Sequence, residues 1–124
     1  RMVAMMARFG DVIIAAEHEG KEKHVPQIKA PERVAAGETF DVQIIVGEEV
    51  PHPNTIEHPI KWIQLFAKSE GDVVKHIGTF DLGPTYAEPR VTVSVMLEQS
   101  ATLYALEYCN IHGVWDNSVD VVVG

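Results

Sequence analysis

Hydrophobic and polar residues alternate with a period of two along most of the chain from residue 38 onward. In the first such run, Phe40, Val42 and Ile44 fall on one face, and the two polar residues between them fall on the other. This alternation predicts a half-buried β-strand. Similar apolar runs, separated by Gly, Pro, Asn and Asp, occur at residues 60–67, 73–80, 91–97, 101–108 and 119–123.

With a short strand expected near residues 25–29, these runs bring the count to about seven strands. Strands this short and this closely spaced, with no helical periodicity between them, favour an antiparallel sandwich over an α/β sheet. We therefore predict an all-β fold, an immunoglobulin-like antiparallel β-sandwich. The length of 124 residues and the hydrophobic content of 46% suit one compact core.

The first sixteen residues follow a different pattern. Apolar residues recur there at roughly helical spacing, and Gly10 interrupts the run. This predicts a short irregular or helical packing segment over residues 1–19, at the edge of the core or in an oligomer contact, and a β-sandwich domain over residues 20–124. The apolar residues are Met2, Met5, Met6 and Phe9.

Charge and patterning exclude two classes of function. A net charge of -8 and the lack of a basic stripe argue against a nucleic-acid surface. The longest apolar stretches, residues 2–7 and 12–16, are far shorter than the roughly 20 residues that span a bilayer, and the start of the chain does not resemble a signal peptide. One cysteine cannot form an intrachain disulfide, as expected in a reducing compartment, so we expect a cytoplasmic protein.

Cys109, three residues before His112, is the first candidate for chemistry. It ends a predicted strand, and Gly113 can close the following turn by adopting a positive φ, so that the thiolate and the imidazole face one centre. The same turn can direct backbone N–H groups at the sulfur and so tune a redox potential. An isolated cysteine is more often a small buried hydrophobe, so the assignment depends on other donors.

Three further histidines supply those donors. His52 and His58 flank a loop stiffened by Pro51 and Pro53, and their spacing lets two imidazoles approach one point. His24 is a further candidate. Four imidazoles and one thiolate exceed the four donors of a structural zinc site and suit a metal of higher coordination, for which iron is the natural candidate.

Two alternatives are weighed against an iron site. A cupredoxin also combines a β-sandwich with Cys-x-x-His, but no methionine follows His112 to act as the weak axial ligand, and two histidines would go unused. A binding module without metal would bury Cys109 in its core and leave the histidines incidental. His18 and His76 lack comparable turn or proline context and are interpreted as ordinary surface or sheet residues.

Three separated motifs occur over about residues 20–124. They are Glu22-Lys23-His24-Val25-Pro26, His52-Pro53-Asn54-Thr55 through Glu57-His58, and Cys109-Asn110-Ile111-His112-Gly113 with Trp115. In order and approximate spacing they resemble the motifs of the superoxide reductase family, also called neelaredoxin, and of the iron domain of desulfoferrodoxin.

The resemblance implies one iron ion per chain, held by four imidazoles around a plane with the Cys109 thiolate axial. It implies one-electron reduction of superoxide to hydrogen peroxide without release of dioxygen. Glu22 would occupy the sixth position after oxidation, and Lys23 would attract superoxide and help its protonation. Rubredoxin or a similar small protein would donate the electron, and a homo-oligomer, with a tetramer favoured, would form. The implied imidazole ligands are His24, His52, His58 and His112.

Three departures from the family pattern stand out. Pro59 replaces a second histidine that often follows the position of His58, and it removes a backbone donor. No cysteine precedes Cys109, so the chain resembles the one-iron form without the four-cysteine module of desulfoferrodoxin. Residues 80–88 form a shorter segment than in some relatives, which would alter an edge loop or the subunit packing.

Overall fold

A computed structural model describes residues 7–15 and 24–124 of the chain. Within these ranges the chain forms eight β-strands, and its helical content is one 3-10 turn at Phe9–Asp11. The strands in chain order are β1 Gln27–Lys29, β2 Arg33–Val34, β3 Thr39–Ile45, β4 Ile60–Lys68, β5 Lys75–Asp81, β6 Arg90–Met96, β7 Ala101–Cys109 and β8 Gly113–Val123.

The strands form two sheets, which confirms the predicted all-β sandwich. The smaller sheet has the order β1-β3-β6 and the larger one the order β2-β8-β7-β4-β5. All neighbours are antiparallel except β2 and β8, which run parallel. The two-residue strand β2 is too short to leave a periodic pattern, and for this reason the prediction of about seven strands missed it.

Alternating side chains of both sheets meet in one core. Phe40, Val42 and Ile44 of β3 belong to the same buried cluster as residues of β4 and β7, such as Leu65. Burial alternates along β7 from Ala101 to Cys109, so Cys109 is the last inward position of that strand and is fully buried. The core therefore extends up to the sulfur.

β8 differs most in its bounds from the prediction, and the other predicted strands differ by one or two residues. β5 starts two residues later, because Val73 and Val74 are exposed in the preceding turn. β8 starts six residues earlier, at Gly113, and pairs with β7 as far as the Cys109–Gly113 partners. Its first half includes Asp116 and Asn117, which strands disfavour, so pairing with β7 overrides local propensity there.

The N-terminal segment contacts the domain at β8. The backbone N–H of Ile14 donates to the Val114 carbonyl at 3.0 Å, and that of Asp116 donates to the Ile14 carbonyl at 3.1 Å, beside Trp115. Ile14 therefore forms a single parallel bridge with Trp115 of β8. The predicted boundary between residues 19 and 20 lies outside the described residues, as do Met2, Met5 and Met6.

No helix in residues 7–15 or 24–124 has the length and apolar character that crossing a bilayer requires.

Candidate metal centre

The β7–β8 hairpin holds Cys109 and His112. Three residues connect the two strands, and Gly113 closes the loop with a φ of +92°, as predicted. The backbone N–H of His112 donates to the Cys109 sulfur at 3.4 Å, and His112 Nδ1 lies 3.7 Å from the same sulfur. The expected N–H contact to sulfur is thus present, and such a donor withdraws electron density from a thiolate.

The loop between β3 and β4 carries His52 and His58. Gly47 has a φ of +79°, and a Cβ at this position would lie 2.6 Å from the His52 backbone nitrogen, so glycine lets the chain pass close to itself. His52 Nδ1 lies 2.7 Å from the Pro53 carbonyl oxygen, and donation to that oxygen would leave Nε2 as the nitrogen that can bind a metal. The backbone N–H of His58 donates to Thr55 Oγ1 at 3.0 Å and closes the loop.

His24 lies just before β1 and packs on Trp115. The two rings are stacked, with centroids 5.0 Å apart and an interplanar angle of 15°. Trp115 Nε1 donates to the His112 carbonyl at 3.2 Å, so one indole supports two candidate ligands. Asn117 Nδ2 donates to the Pro26 carbonyl at 3.0 Å and attaches the His24 segment to β8.

Four imidazoles form a closed ring at this end of the sandwich. Neighbouring centroids are 4.9 Å apart for His24 and His52, 4.7 Å for His52 and His58, 5.1 Å for His58 and His112, and 4.8 Å for His112 and His24. Nearly equal separations place the rings around one centre rather than in a row. The candidate donor atoms of His24, His52, His58 and Cys109 all lie within 4.8 Å of one another.

This donor set fits an iron ion. With metal–ligand bonds of roughly 2.0–2.3 Å, two donors on opposite sides of one ion lie about 4–4.6 Å apart, close to the 4.8 Å limit within the cluster. Imidazole and thiolate are donors that iron accepts. The close group of donor atoms contains three imidazoles and one thiolate and does not include His112, which would add a fifth donor from the exposed side of the ring. A blue-copper site uses two imidazoles and one thiolate, so the ring of four imidazoles does not support the cupredoxin alternative.

The candidate ligand side chains differ in how far they are exposed to solvent. Cys109 is fully buried, and His24 and His52 are 3% and 7% exposed, whereas His58 is half-buried and His112 is exposed. The cluster therefore lies at the boundary between the core and solvent.

Asn110 joins the two ligand-bearing loops, a role that the sequence analysis missed. Its Nδ2 donates to the Glu57 carbonyl at 2.9 Å, and its backbone N–H donates to the Pro59 carbonyl at 3.4 Å. Asparagine in a turn is ordinary, and the partner in the first bond is 53 residues away in the chain. No local signal identifies such a contact. Pro59, the departure from the family pattern, is buried and accepts one of these bonds.

Replacing Asn110 with alanine should weaken metal binding by about tenfold, because groups that orient ligands typically contribute 10–100-fold to affinity. Competition with a chelator measures the effect. Asn110→Asp is the matched comparison, since it keeps the size and turn preference of asparagine but removes the N–H donor. Equal affinity in wild type and Asn110→Asp would contradict a role for the bond to Glu57.

The remaining candidate residues divide into two groups. Glu22 and Lys23, the predicted catalytic pair, lie outside the described residues, as does His18. His76 lies in β5, where its Nε2 is 2.8 Å from Thr79 Oγ1 and its ring packs against Phe66, so it is not part of the cluster.

Comparison with known proteins identifies the family. The desulfoferrodoxin family model matches residues 16–118. Neelaredoxin of Megalodesulfovibrio gigas is 37% identical over 115 residues, which cover 82% of this chain and 88% of that protein. Superoxide reductase of Pyrococcus horikoshii is 40% identical over 104 residues, covering 81% of this chain and 88% of that protein.

A solved structure supports the same assignment. The superoxide reductase (neelaredoxin) of Ignicoccus hospitalis superimposes with a TM-score of 0.88 at 40% identity, covering 94% of this chain and 99% of that one. The residues that the family model matches include β1 to β7, the first half of β8 and every residue of the imidazole and thiolate cluster. The chain belongs to the desulfoferrodoxin family.

Proposed function

We propose that this protein reduces superoxide to hydrogen peroxide at an iron centre held by one thiolate and four imidazoles. The observation that carries the proposal is the convergence of the only cysteine with a closed ring of four histidine side chains, at the boundary of core and solvent. The related proteins named superoxide reductase support the same activity. The proposed ligands are His24, His52, His58, Cys109 and His112.

Iron held by these residues would supply the one electron that, with two protons, converts superoxide to hydrogen peroxide. Cys109 supplies the anionic donor, and the His112 N–H bond to its sulfur moderates the electron density that this donor gives. The bond from His52 Nδ1 to the Pro53 carbonyl orients one imidazole, and the indole of Trp115 supports another, that of His24. These contacts support the proposal that the protein itself orients the donors.

Addition of superoxide to the reduced protein under anaerobic conditions tests the activity. We expect one peroxide for each protein oxidised and little dioxygen. Peroxide and dioxygen in dismutation proportions would instead identify a dismutase, and stoichiometric copper without iron would overturn the assignment of the metal.

Glu22 and Lys23 complete the proposal. Lys23 precedes His24 directly in the chain, and its ammonium would attract superoxide and assist protonation, while the Glu22 carboxylate would bind the ferric ion after turnover. The overall charge of -8 opposes an anionic substrate, so a local cation matters more here than on a neutral protein.

Replacing Lys23 with alanine should lower the rate of superoxide capture by about tenfold at low ionic strength, since steering raises on-rates by 10-fold or more. The salt dependence of the rate should also weaken. Stopped-flow or pulse-radiolysis measurements over a range of ionic strength give both quantities. Lys21→Ala removes the same charge two residues away, and an identical effect from that variant would reject a specific role for Lys23.

Three further features belong to this proposal. One donor cluster in the described chain supports one iron per chain, which metal analysis against protein concentration measures. A rubredoxin-type protein would return the electron, in the cytoplasm, where the lone cysteine stays reduced. The favoured assembly is a homotetramer, which sedimentation measures.

A further inference from the structure

The side chain of Asn54 connects the β3–β4 loop, which carries two of the candidate ligands, to the loop between β5 and β6. The backbone N–H of Thr85 donates to Asn54 Oδ1 at 2.9 Å, and Asn54 Nδ2 donates to the Ala87 carbonyl at 3.4 Å. The oxygen and the nitrogen of the amide therefore both bind backbone groups. These partners lie 31 and 33 residues away in the chain, so the fold and not the local sequence makes the contact.

The β5–β6 loop is itself attached to both sheets. At its start, the backbone N–H of Leu82 donates to the carbonyl of Lys61 in β4 at 2.9 Å. At its end, the Pro89 carbonyl accepts from the backbone N–H of Val46, the residue after β3, also at 2.9 Å. The loop is thus held at both ends and gives Asn54 a fixed base.

The backbone of Thr85 is strained at the point of contact. Its φ is +71°, and within residues 7–15 and 24–124 it is the one residue other than glycine with a positive φ. A β-branched residue adopts this conformation at an energetic cost, which the surrounding structure must offset. The N–H of this strained residue is the one that Asn54 accepts, at the shorter of its two distances. Strained residues cluster at functional sites, so the strain favours a functional role for the contact.

Asn54 shares a peptide group with the carbonyl that faces His52. The Pro53 carbonyl oxygen, which lies 2.7 Å from His52 Nδ1, belongs to the peptide group that joins Pro53 to Asn54. A peptide group is planar and the proline ring fixes φ at its own residue, so the direction of this carbonyl depends on where the Asn54 Cα lies. The two hydrogen bonds of the Asn54 side chain hold that Cα. Their effect reaches the imidazole of His52 through one peptide plane.

His58, the other candidate ligand on this loop, has a different support. Its backbone N–H donates to Thr55 Oγ1 at 3.0 Å, and its carbonyl accepts from the Thr55 backbone N–H at 3.3 Å, so residues of its own loop hold it. His52 instead borders a cleft of about 210 Å³, which Asn54 and Pro89 also line. Packing does not fill the space between the two loops there, and the hydrogen bonds of Asn54 join the loops beside it.

We propose that Asn54 is a positioning residue for His52. Its amide transmits the fixed position of the β5–β6 loop to the Pro53 carbonyl, and this carbonyl sets the direction of the His52 imidazole. The inference rests on the proposed role of His52 as an iron ligand. Because Asn54 supplies no metal donor, its replacement should alter the affinity and the symmetry of the metal centre without removing a ligand.

The variants Asn54→Ala and Asn54→Asp test this role together. Alanine removes both hydrogen bonds, whereas aspartate keeps an acceptor for the Thr85 N–H and loses only the donor to the Ala87 carbonyl. Chelator competition measures the affinity for ferrous iron, and electron paramagnetic resonance measures the symmetry of the ferric site. Thermal denaturation of the metal-free protein measures stability separately from both.

Ser100→Ala is the matched control. The backbone N–H of Val123 donates to Ser100 Oγ at 2.9 Å, so this change also removes a bond between a side chain and the backbone of a distant segment. Ser100 precedes β7, at the end of that strand opposite to Cys109. We expect the control to lower the melting temperature and to leave the iron affinity and the ferric spectrum unchanged.

We expect Asn54→Ala to bind ferrous iron about tenfold more weakly and to give an altered ferric spectrum, since groups that orient a ligand typically contribute 10–100-fold to metal affinity. Asn54→Asp should give the wild-type spectrum, because the bond from the Thr85 N–H remains. The spectrum of this variant is the measure of rescue, since an added carboxylate attracts a cation whatever the position of His52.

Wild-type affinity and spectrum in Asn54→Ala, at any melting temperature, would overturn the positioning role. An equal loss of affinity in Ser100→Ala, or an Asn54→Asp spectrum that matches that of the alanine variant, would overturn it as well. If Asn54→Ala does not fold, Asn54→Ser, whose side chain is one atom shorter than that of asparagine, takes its place with the same expected result. Failure of iron-loaded wild type to form peroxide would count against the proposed function, and the affinities and spectra would still judge Asn54.

Discussion

Replacing Cys109 with serine should abolish the thiolate-to-ferric absorption band of the iron-loaded protein and slow superoxide-dependent peroxide formation by about 100-fold or more. Serine has nearly the size of cysteine, but its hydroxyl stays protonated at neutral pH and offers no soft anionic donor. Groups that merely orient a ligand already contribute about 10–100-fold, so loss of a direct donor should exceed that range. Visible absorption, electron paramagnetic resonance and anaerobic peroxide yield measure the change.

Ala105→Ser is the matched control for this variant. Ala105 is fully buried on the same inward row of β7, two inward positions before Cys109, so the change puts the same hydroxyl into the same core without altering a proposed ligand. We expect this control to lower the melting temperature but to keep the absorption band and the rate. Retention of the band in Cys109→Ser would remove the thiolate from the metal centre.

Replacing Gly47 with alanine should destabilise the protein by roughly 2–5 kcal/mol, from the left-handed backbone conformation and the overpacking together. The φ at Gly47 is +79°, and a Cβ would lie 2.6 Å from the His52 nitrogen and 2.9 Å from the Val50 carbonyl oxygen. Both are backbone atoms, so relief of the clash requires displacement of His52. Metal affinity should therefore fall at least tenfold, which thermal denaturation and chelator competition measure together.

Gly71→Ala is the control that separates the effect of the steric clash from the effect of the left-handed backbone conformation. Gly71 has a φ of +75°, but a Cβ there would meet no atom within 4 Å, and the residue lies in the β4–β5 turn, away from the cluster. We expect a loss of about 1–2 kcal/mol and unchanged metal affinity. If the two alanine variants lose the same stability and both keep the metal, close packing of Gly47 against His52 has no role in forming the site.

A strand can be predicted from the sequence when the pattern that identifies it lies within a short stretch of the chain. β7 alternates strictly between buried and more exposed positions, and β3 does so from Thr39 to Ile44, so period two identifies them. β2 consists of two residues, and its partners are Val122 and Val123 near the other end of the chain. The first half of β8 carries residues that disfavour strands, and it is extended because β7 provides partners along its whole length. Pairing with a distant strand leaves no pattern in a short window of sequence.

The features of the candidate centre are likewise of two kinds, local ones that the sequence reveals and long-range ones that depend on the fold. The donor residues, the prolines of the histidine loop and the glycine that closes the Cys109–His112 turn are local features, because coordination chemistry and turn conformation depend on residues close in the chain. Their resemblance to a known family was therefore visible in three short motifs.

The convergence of these donors depends on long-range contacts. His24 reaches the cluster because its ring stacks on Trp115, and the cysteine turn meets the histidine loop because Asn110 bonds to Glu57. Such contacts exist only after β4, β7 and β8 have paired in register. That register is set by burial summed over the whole core, and no segment of the chain contains this information by itself.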